Sequence, residues 1–250
     1  SPGFESANTC VALLNAQADS WLDVPSLNLN TNTVTITAWI NPSGAEGAGW
    51  GLFMWRGTNG DAAGLGFGTT VNTNTGVAEL GYTWDNNSPS TYNFHSGLYA
   101  PLGQWSLVAL TITPTNSTLY LYYTDGSSVT NVSKAVQTIA NSPEAFSGGT
   151  IRIGSDNYSG RNFNGSMDEV AIFNQSLSES QIQNLFQVGS GITGVAPVIT
   201  SDISPTNVNT FAGLTLTMTA NGDGMPVPGF QWQAGSGGVF TNLANGSGVS

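Results

Sequence analysis

Apolar and polar residues alternate with a period of two along many short stretches of this chain, which is the pattern of β-strands with one buried face. The clearest stretch is 33–40, where four apolar side chains share one face and three threonines share the other with Trp39. We expect Trp39 to be a core residue rather than a ligand platform. Further strands are predicted at residues 10–14, 19–24, 52–56, 64–68, 77–84, 104–112, 119–126 and 151–154.

Residues 162–189 predict a turn, a strand and a helix in that order. An Asn-Gly pair supplies the turn, and Ser178 and Gln181 have the spacing of a helix capping box. Gly189 marks the end of the helix. The apolar face of the helix consists of Ile182, Leu185 and Phe186. Because an isolated helix of this length is marginal in water, we expect it to lie on a large sheet.

The same segment resembles the closing segment of laminin-G-like, concanavalin A-like jelly rolls, F-x-G-x-hydrophobic-D-E-V followed by L-S and a short helix. The matching residues are Phe163, Gly165, Met167, Asp168, Glu169, Val170, Leu177 and Ser178. Other strands similar to those of the family occur in its order, so the resemblance covers roughly residues 10–190. It implies an all-β fold, a two-sheet jelly-roll sandwich over residues 1–188 with one short C-terminal helix.

A second module is predicted after a glycine-rich linker at residues 189–195. Residues 196–250 resemble the opening strands of bacterial immunoglobulin-like repeats, with Trp232 as the core tryptophan. A complete sandwich of that kind needs about 100 residues, so the module looks incomplete. Either the sequence stops inside the module, or a neighbouring chain supplies strands by β-augmentation. The apolar residues that self-assembly would then cover are Leu214, Leu216, Met218, Phe230 and Trp232.

The charge balance excludes several classes of partner. Four Lys and Arg residues stand against fifteen Asp and Glu, and the formal net charge is −11. Such a surface repels nucleic acid and anionic lipid, and no run reaches the ~18 apolar residues of a membrane span. Cys10, the single cysteine, forms no intrachain disulfide. The composition, rich in Thr, Ser, Asn and Gly, predicts an extracellular or cell-surface protein.

Catalysis is not expected from the sequence. Glycoside hydrolases of related shape use two carboxylates about 5 to 9 Å apart, whereas Asp168 and Glu169 are adjacent and would face opposite sides of a strand. The sole histidine, His95, has no G-x-S-x-G serine elbow to serve. The sequence therefore predicts a protein that is not an enzyme.

Calcium is the cofactor that the family resemblance implies, since laminin-G-like domains often bind it. The resemblance points to Asp168, with Asp19 as a neighbour from the early strands and Asp156 from the preceding loop. Calcium takes six to eight oxygen ligands, which carboxylates and loop carbonyls supply. The alternative is that Asp168 and Glu169 only hydrogen-bond the local turn.

A glycan site would need aromatic faces beside amide and carboxylate groups. Loop residues with that mixture are Trp84, Asp85, Tyr92, Asn157, Tyr158 and Arg161. Ordinary loop packing is the alternative for each, and a surface ion pair is the alternative for Arg161. We expect a binding or adhesion module that recognises a glycan or a cell-surface protein. The alternatives are a self-assembling filament or surface-layer subunit, and an accessory piece of a larger secreted protein.

Overall fold

The computed structural model describes residues 9–13, 20–58, 60–85, 88–124, 130–157, 160–191, 195–206, 217–225, 232–236 and 239–242. The chain divides into two compact units, Ser1–Ser190 and Gly191–Ser250. The first unit contains strands β1 (Val11–Leu13), β2 (Leu22–Val24), β3 (Val34–Pro42), β4 (Gly51–Arg56), β5 (Ala62–Val71), β6 (Ala78–Thr83), β7 (Ser106–Ile112), β8 (Asn116–Thr124), β9 (Thr130–Thr138), β10 (Thr150–Ile153) and β11 (Gly165–Phe173). Its helices are α1 (Ser88–Thr91) and α2 (Glu179–Gly189).

These strands form two antiparallel sheets. The six-stranded sheet has the order β1-β11-β3-β7-β8-β9, and the five-stranded sheet has the order β2-β10-β4-β5-β6. Fully buried aliphatic side chains from both sheets fill the space between them, among them Ile36, Ile40, Leu52, Leu65, Leu80 and Leu110. The predicted all-β sandwich is confirmed.

The alternation in β3 separates two packed environments. Ile36 and Ile40 point into the core between the sheets, whereas Trp39 on the opposite face is 4% exposed and stacks on Phe186 of α2, with 5.4 Å between ring centroids. Helix α2 therefore covers the outer face of the six-stranded sheet. Its capping box is formed by Ser178 and Gln181 as predicted.

The Asp168-Glu169 pair forms a bulge in β11. The register against β3 shifts between Asp168 and Ala171, and Glu169 has a positive φ of 47°. The Oδ1 atom of Asp168 accepts a hydrogen bond from the Glu169 backbone N–H at 3.0 Å. The carboxylate of Asp168 thus stabilises the irregular backbone beside it, which is the local role that the sequence left open.

The outer face of the five-stranded sheet is different, because no helix is observed to cover it among the described residues. In β4, Phe53 and Trp55 belong to the core, so Met54 and Arg56 project from the outer face. The corresponding outward positions of β5 include Gly66, where a Cβ would lie 2.5 Å from the Trp50 carbonyl oxygen. Only glycine fits where the backbone of Gly66 approaches that of Trp50 so closely. Because glycine has no side chain, the outer face of the sheet is recessed at this position.

The described residues of the second unit form two strand pairs. Strand β12 (Val195–Ser204) pairs with β13 (Thr219–Met225), and β14 (Gln233–Ser236) pairs with β15 (Val239–Asn242), both antiparallel. These strands do not define an immunoglobulin-like sandwich, so that interpretation of residues 196–250 stays a prediction. In the parts of the chain that the structure describes, no helix has the length and apolar character needed to cross a membrane.

Candidate functional site

A groove of about 540 Å³ lies on the outer face of the five-stranded sheet. This volume is within the usual range for small-ligand sites. Its lining comes from the β3–β4 loop, strands β4 to β6, the segment after α1 and the loop between β10 and β11. The side chains that characterise it are Trp50, Met54, Arg56, Tyr92, Asp156 and Arg161. We call this feature the groove.

Two guanidinium groups bind one buried carboxylate in the groove wall. Asp156 is 2% exposed, and its Oδ1 accepts hydrogen bonds from Arg56 Nη2 at 2.5 Å and Nε at 3.0 Å. Its Oδ2 accepts from Arg161 Nη1 at 2.8 Å. The side chain of Arg56 is 18% exposed, whereas that of Arg161 is 44% exposed. Arg56 is therefore mainly structural, and Arg161 presents charge to solvent.

The third arginine of the chain belongs to the same face. Arg152 of β10 is the cross-strand partner of Met54, its Nε donates to Asp23 Oδ1 at 3.0 Å, and its guanidinium lies 4.1 Å from the ring centroid of Trp21. The sequence contains no arginine other than these three. In a chain of net charge −11, all three arginines thus lie on this face, each paired with a carboxylate, and Trp21 extends its aromatic surface.

Glu46 is a buried acid in the loop that forms one wall of the groove. It is fully buried, and its two carboxyl oxygens lie 3.2 and 3.1 Å from the backbone N–H of Asn164, which donates to them. Burial raises the pKa of Glu46 to about 9, although the Asn164 hydrogen bond opposes the shift. Glu46 is therefore protonated near neutral pH and adds no negative charge beside the groove.

Glu79 and His95 join β6 to the segment after α1. His95 Nδ1 lies 2.9 Å from Glu79 Oε1 and 2.9 Å from Thr70 Oγ1, and the Gly97 backbone N–H donates to Glu79 Oε2 at 2.8 Å. Burial would raise the pKa of Glu79, but these hydrogen bonds and the His95 charge outweigh it and lower the pKa. The contacts fix the segment that carries Tyr92.

The predicted ligand-binding residues separate into different environments. Tyr92 and Arg161 line the groove, and Tyr92 is 46% exposed. The prediction for Trp84 is wrong, because this residue is fully buried, packs on Phe146 and donates from Nε1 to the Ser142 carbonyl oxygen at 2.8 Å.

The other predicted ligand residues do not join the groove lining. Asp85 Oδ2 accepts from the Ser142 backbone N–H at 2.9 Å, and after burial the Asp85 carboxyl is the main cause of the raised pKa of Glu144. Asn157 is exposed with a positive φ of 62°, and Tyr158 lies outside the described residues.

Sequence reasoning missed Trp50, Met54 and Arg56. The sequence did contain a signal for Arg56 and Arg152. Basic residues are rare in this chain, and these two lie at outward-facing positions of predicted strands, where a charged side chain can reach a ligand.

The described members of the predicted calcium set do not form a metal site by themselves. Both oxygens of Asp156 are bound by guanidinium groups, whose charge disfavours a cation there. Asp168 lies in the bulge of β11, and Asp19 falls outside the described residues. Within the part of the chain that the structure describes, no three His, Cys, Asp or Glu side chains are grouped to hold a metal ion. A calcium site that includes Asp19 stays a prediction.

The predicted self-assembly residues lie largely beyond what the structure describes. Met218 is 45% exposed and Trp232 is half-buried. Leu214, Leu216 and Phe230 lie outside the described residues. Other apolar side chains of the second unit are exposed, namely Val198, Ile199, Ile203, Val239 and Phe240.

This chain belongs to the concanavalin A-like lectin/glucanase superfamily, whose family model matches residues 16–183. The match covers strands β2 to β11 and the start of α2, so the family recognised from the closing motif is confirmed for the first unit. No curated protein matches the chain.

Solved structures are similar to this chain at low identity. Domain 4 of AbnA, a GH43 extracellular arabinanase from Geobacillus stearothermophilus, in complex with arabinotriose, has a TM-score of 0.53 and 16% identity over 73% of this chain and 79% of that chain. Tailspike protein 2 from Escherichia coli O157:H7 bacteriophage CAB120 has a TM-score of 0.44 and 10% identity, covering 75% of this chain and 27% of that one. The binding domain of botulinum neurotoxin serotype G has a TM-score of 0.44 and 10% identity, covering 92% and 55%.

The prediction that this chain is not an enzyme is wrong. The superfamily to which it belongs is described as lectins and glucanases, and a domain of an arabinanase has the same fold. An enzymatic role is therefore open. Hydrolysis by two carboxylates in the groove would have to combine Asp156 with an acid from outside the described lining.

Proposed function

We propose that this protein binds carbohydrate in the groove. The observation that carries the proposal is that Trp50 and Tyr92 line the same cavity as the Arg56–Asp156–Arg161 ion-pair cluster. Sugar rings pack their C–H faces on aromatic side chains and exchange hydrogen bonds with charged groups at their edges. Asp156 holds both guanidinium groups in place before a ligand arrives, which lowers the ordering cost of binding.

Two comparisons support a sugar rather than a protein as the ligand. The superfamily is described by its lectins and glucanases, and the arabinanase domain with the same fold was solved with arabinotriose. The groove also has the size of a small-molecule site, whereas protein partners usually need about 800 Å² of surface on each side. An extracellular or cell-surface location, where polysaccharides are met, is part of the proposal.

The test is a binding screen against soluble oligosaccharides with two variants of Tyr92. Tyr92→Ala removes the ring, and we expect its affinity to fall about 10-fold or more, since stacking and apolar contact are lost. Tyr92→Phe keeps the ring and should bind nearly as well as the parent. Equal binding by all three proteins would place the sugar elsewhere. The same samples, assayed for new reducing ends, reveal whether the bound glycan is also cleaved.

A second candidate function is self-association through the second unit. In β12, Val198 and Ile199 are 59% and 66% exposed, and in β15, Val239 and Phe240 are 72% and 61% exposed. Isolated two-stranded pairs are marginal in water, and exposed strand edges favour pairing with another chain. Sedimentation velocity of the parent and of Phe240→Asp tests this: concentration-dependent oligomers that the substitution abolishes would support it, and a monomer at all concentrations would refute it.

A further inference from the structure

The groove differs from the rest of the molecule in its charge. Its described lining contains two guanidinium groups, Arg56 and Arg161, and one carboxylate, Asp156, which leaves one net positive charge. The whole chain carries a net charge of −11. A negatively charged ligand is therefore repelled by most of the molecule and attracted to this groove.

Arg161 is the group placed to meet such a ligand. Its side chain is 44% exposed, and its guanidinium passes over the backbone of the β3–β4 loop, where a Cβ on Gly49 would lie 3.5 Å from Arg161 Cζ. Arg56, by contrast, is 18% exposed and reaches Asp156 through two nitrogens. Because Arg56 holds Asp156 through Nε and Nη2, the Asp156 charge stays paired while the exposed guanidinium of Arg161 contacts an incoming anion.

We propose that the ligand of the groove is an acidic glycan, with a sugar carboxylate bound by Arg161. This inference rests on the proposed function and names its substrate class. A planar carboxylate matches the guanidinium fork, and the adjacent Trp50 and Tyr92 rings accept the sugar face. Sulfated sugars offer the same negative charge with a tetrahedral group, so they form a separate arm of the test.

The experiment measures affinities by titration calorimetry for oligomers of galacturonate, glucuronate and mannuronate. Each is paired with its methyl ester, which has the same skeleton without the charge, and sulfated and neutral oligosaccharides complete the panel. We expect an acidic oligomer to bind about 10- to 100-fold more tightly than its ester, the range for a hydrogen bond to a charged group. That advantage should shrink as NaCl is raised.

Three variants localise the effect. Arg161→Gln should reduce the acidic oligomer to the affinity of its ester, and Arg161→Lys, which keeps a point charge without the fork, should fall between. Lys134→Gln is the matched control, because it removes one positive charge from the ion pair with Glu179 on the six-stranded sheet, and it should leave the advantage intact. If this control lost the advantage equally, the attraction would be a property of net charge and not of the groove.

The outcomes distinguish failure of the acidic-glycan inference from failure of the proposed carbohydrate binding. Binding confined to neutral sugars, or equal binding of acid and ester, overturns the acidic ligand and leaves carbohydrate binding standing. Binding of sulfated sugars alone overturns the carboxylate. Absence of binding to every sugar in the panel overturns both the inference and the proposed function.

Discussion

Arg56 and Asp156 lie 100 positions apart in the chain and are joined by an ion pair with 2.5 Å between Nη2 and Oδ1. The pair links β4 to the loop between β10 and β11 and so builds one wall of the groove. Asp156 is 2% exposed, so its negative charge is stabilised by the guanidinium groups of Arg56 and Arg161 rather than by water.

The two arginines that share Asp156 should differ in their effect on stability. Arg56→Gln leaves a buried carboxylate without its main partner, and we expect the free energy of unfolding to fall by about 3 kcal/mol. Arg161→Gln removes a largely exposed partner and should cost less than about 1 kcal/mol. Urea unfolding of both variants measures the difference. Equal losses would show that the two guanidinium groups are structurally equivalent.

Substitutions of Trp84 and Tyr92 should have opposite effects: the first should lower stability, and the second should weaken sugar binding. Trp84→Ala empties a fully buried site beside Phe146, and we expect a loss of about 3 to 5 kcal/mol in the free energy of unfolding. Tyr92→Ala removes a side chain that is 46% exposed and should change stability by less than about 1 kcal/mol while weakening sugar binding. A destabilised Tyr92→Ala protein with unchanged affinity would instead make Tyr92 a packing residue.

Glu46 should make the protein less stable as the pH rises. Its pKa in the fold is about 9, above the ordinary value of 4.5, so between these values the folded state holds a proton that the unfolded state has released. The free energy of unfolding then falls with pH by up to about 1.4 kcal/mol per unit from this group. Glu144, with a pKa raised to about 8 by burial and by Asp85, adds to the same trend up to that pH.

The Glu46→Gln variant isolates this contribution. The amide keeps an acceptor for the Asn164 N–H and does not titrate, so the variant should match the parent near pH 5 and exceed it in stability at pH 8. Denaturation series at both pH values provide the comparison. Parallel pH profiles for parent and variant would mean that Glu46 is ionised in the fold.

Sugar binding in the groove should not require calcium. The charged groups that line it are two guanidinium groups and one carboxylate, which the two arginines already bind. Addition of EDTA is therefore expected to leave the sugar affinity unchanged. An affinity lost with EDTA and restored by calcium would show that a metal site, such as one including Asp19, supports the groove.

Much of the fold could be predicted because strand alternation and helix capping depend on residues that are close together in the sequence. The alternation in β3 placed Ile36 and Trp39 on opposite faces, and the spacing of Ser178 and Gln181 located the start of α2. The Asp168-Glu169 pair was recognised as a family motif, but its bulge depends on pairing with β3, which a single strand does not reveal.

The groove was harder to predict because its residues are far apart in sequence. Trp50, Arg56, Tyr92 and Asp156 come from four segments that only the sheet order brings together. Trp84 was misassigned for a related reason. It follows the last residue of β6 and precedes polar turn residues, which resembles an exposed loop, yet Phe146 and Ser142 from a distant segment cover it.

The most direct test of sugar recognition by this protein is an oligosaccharide screen with the parent, Tyr92→Ala and Tyr92→Phe proteins, read as dissociation constants. We expect the parent to bind at least one class of sugar, Tyr92→Phe to bind it with similar affinity, and Tyr92→Ala to bind it about 10-fold or more weakly. A parent protein that binds no sugar, or three proteins with the same affinity, would contradict carbohydrate recognition in the groove.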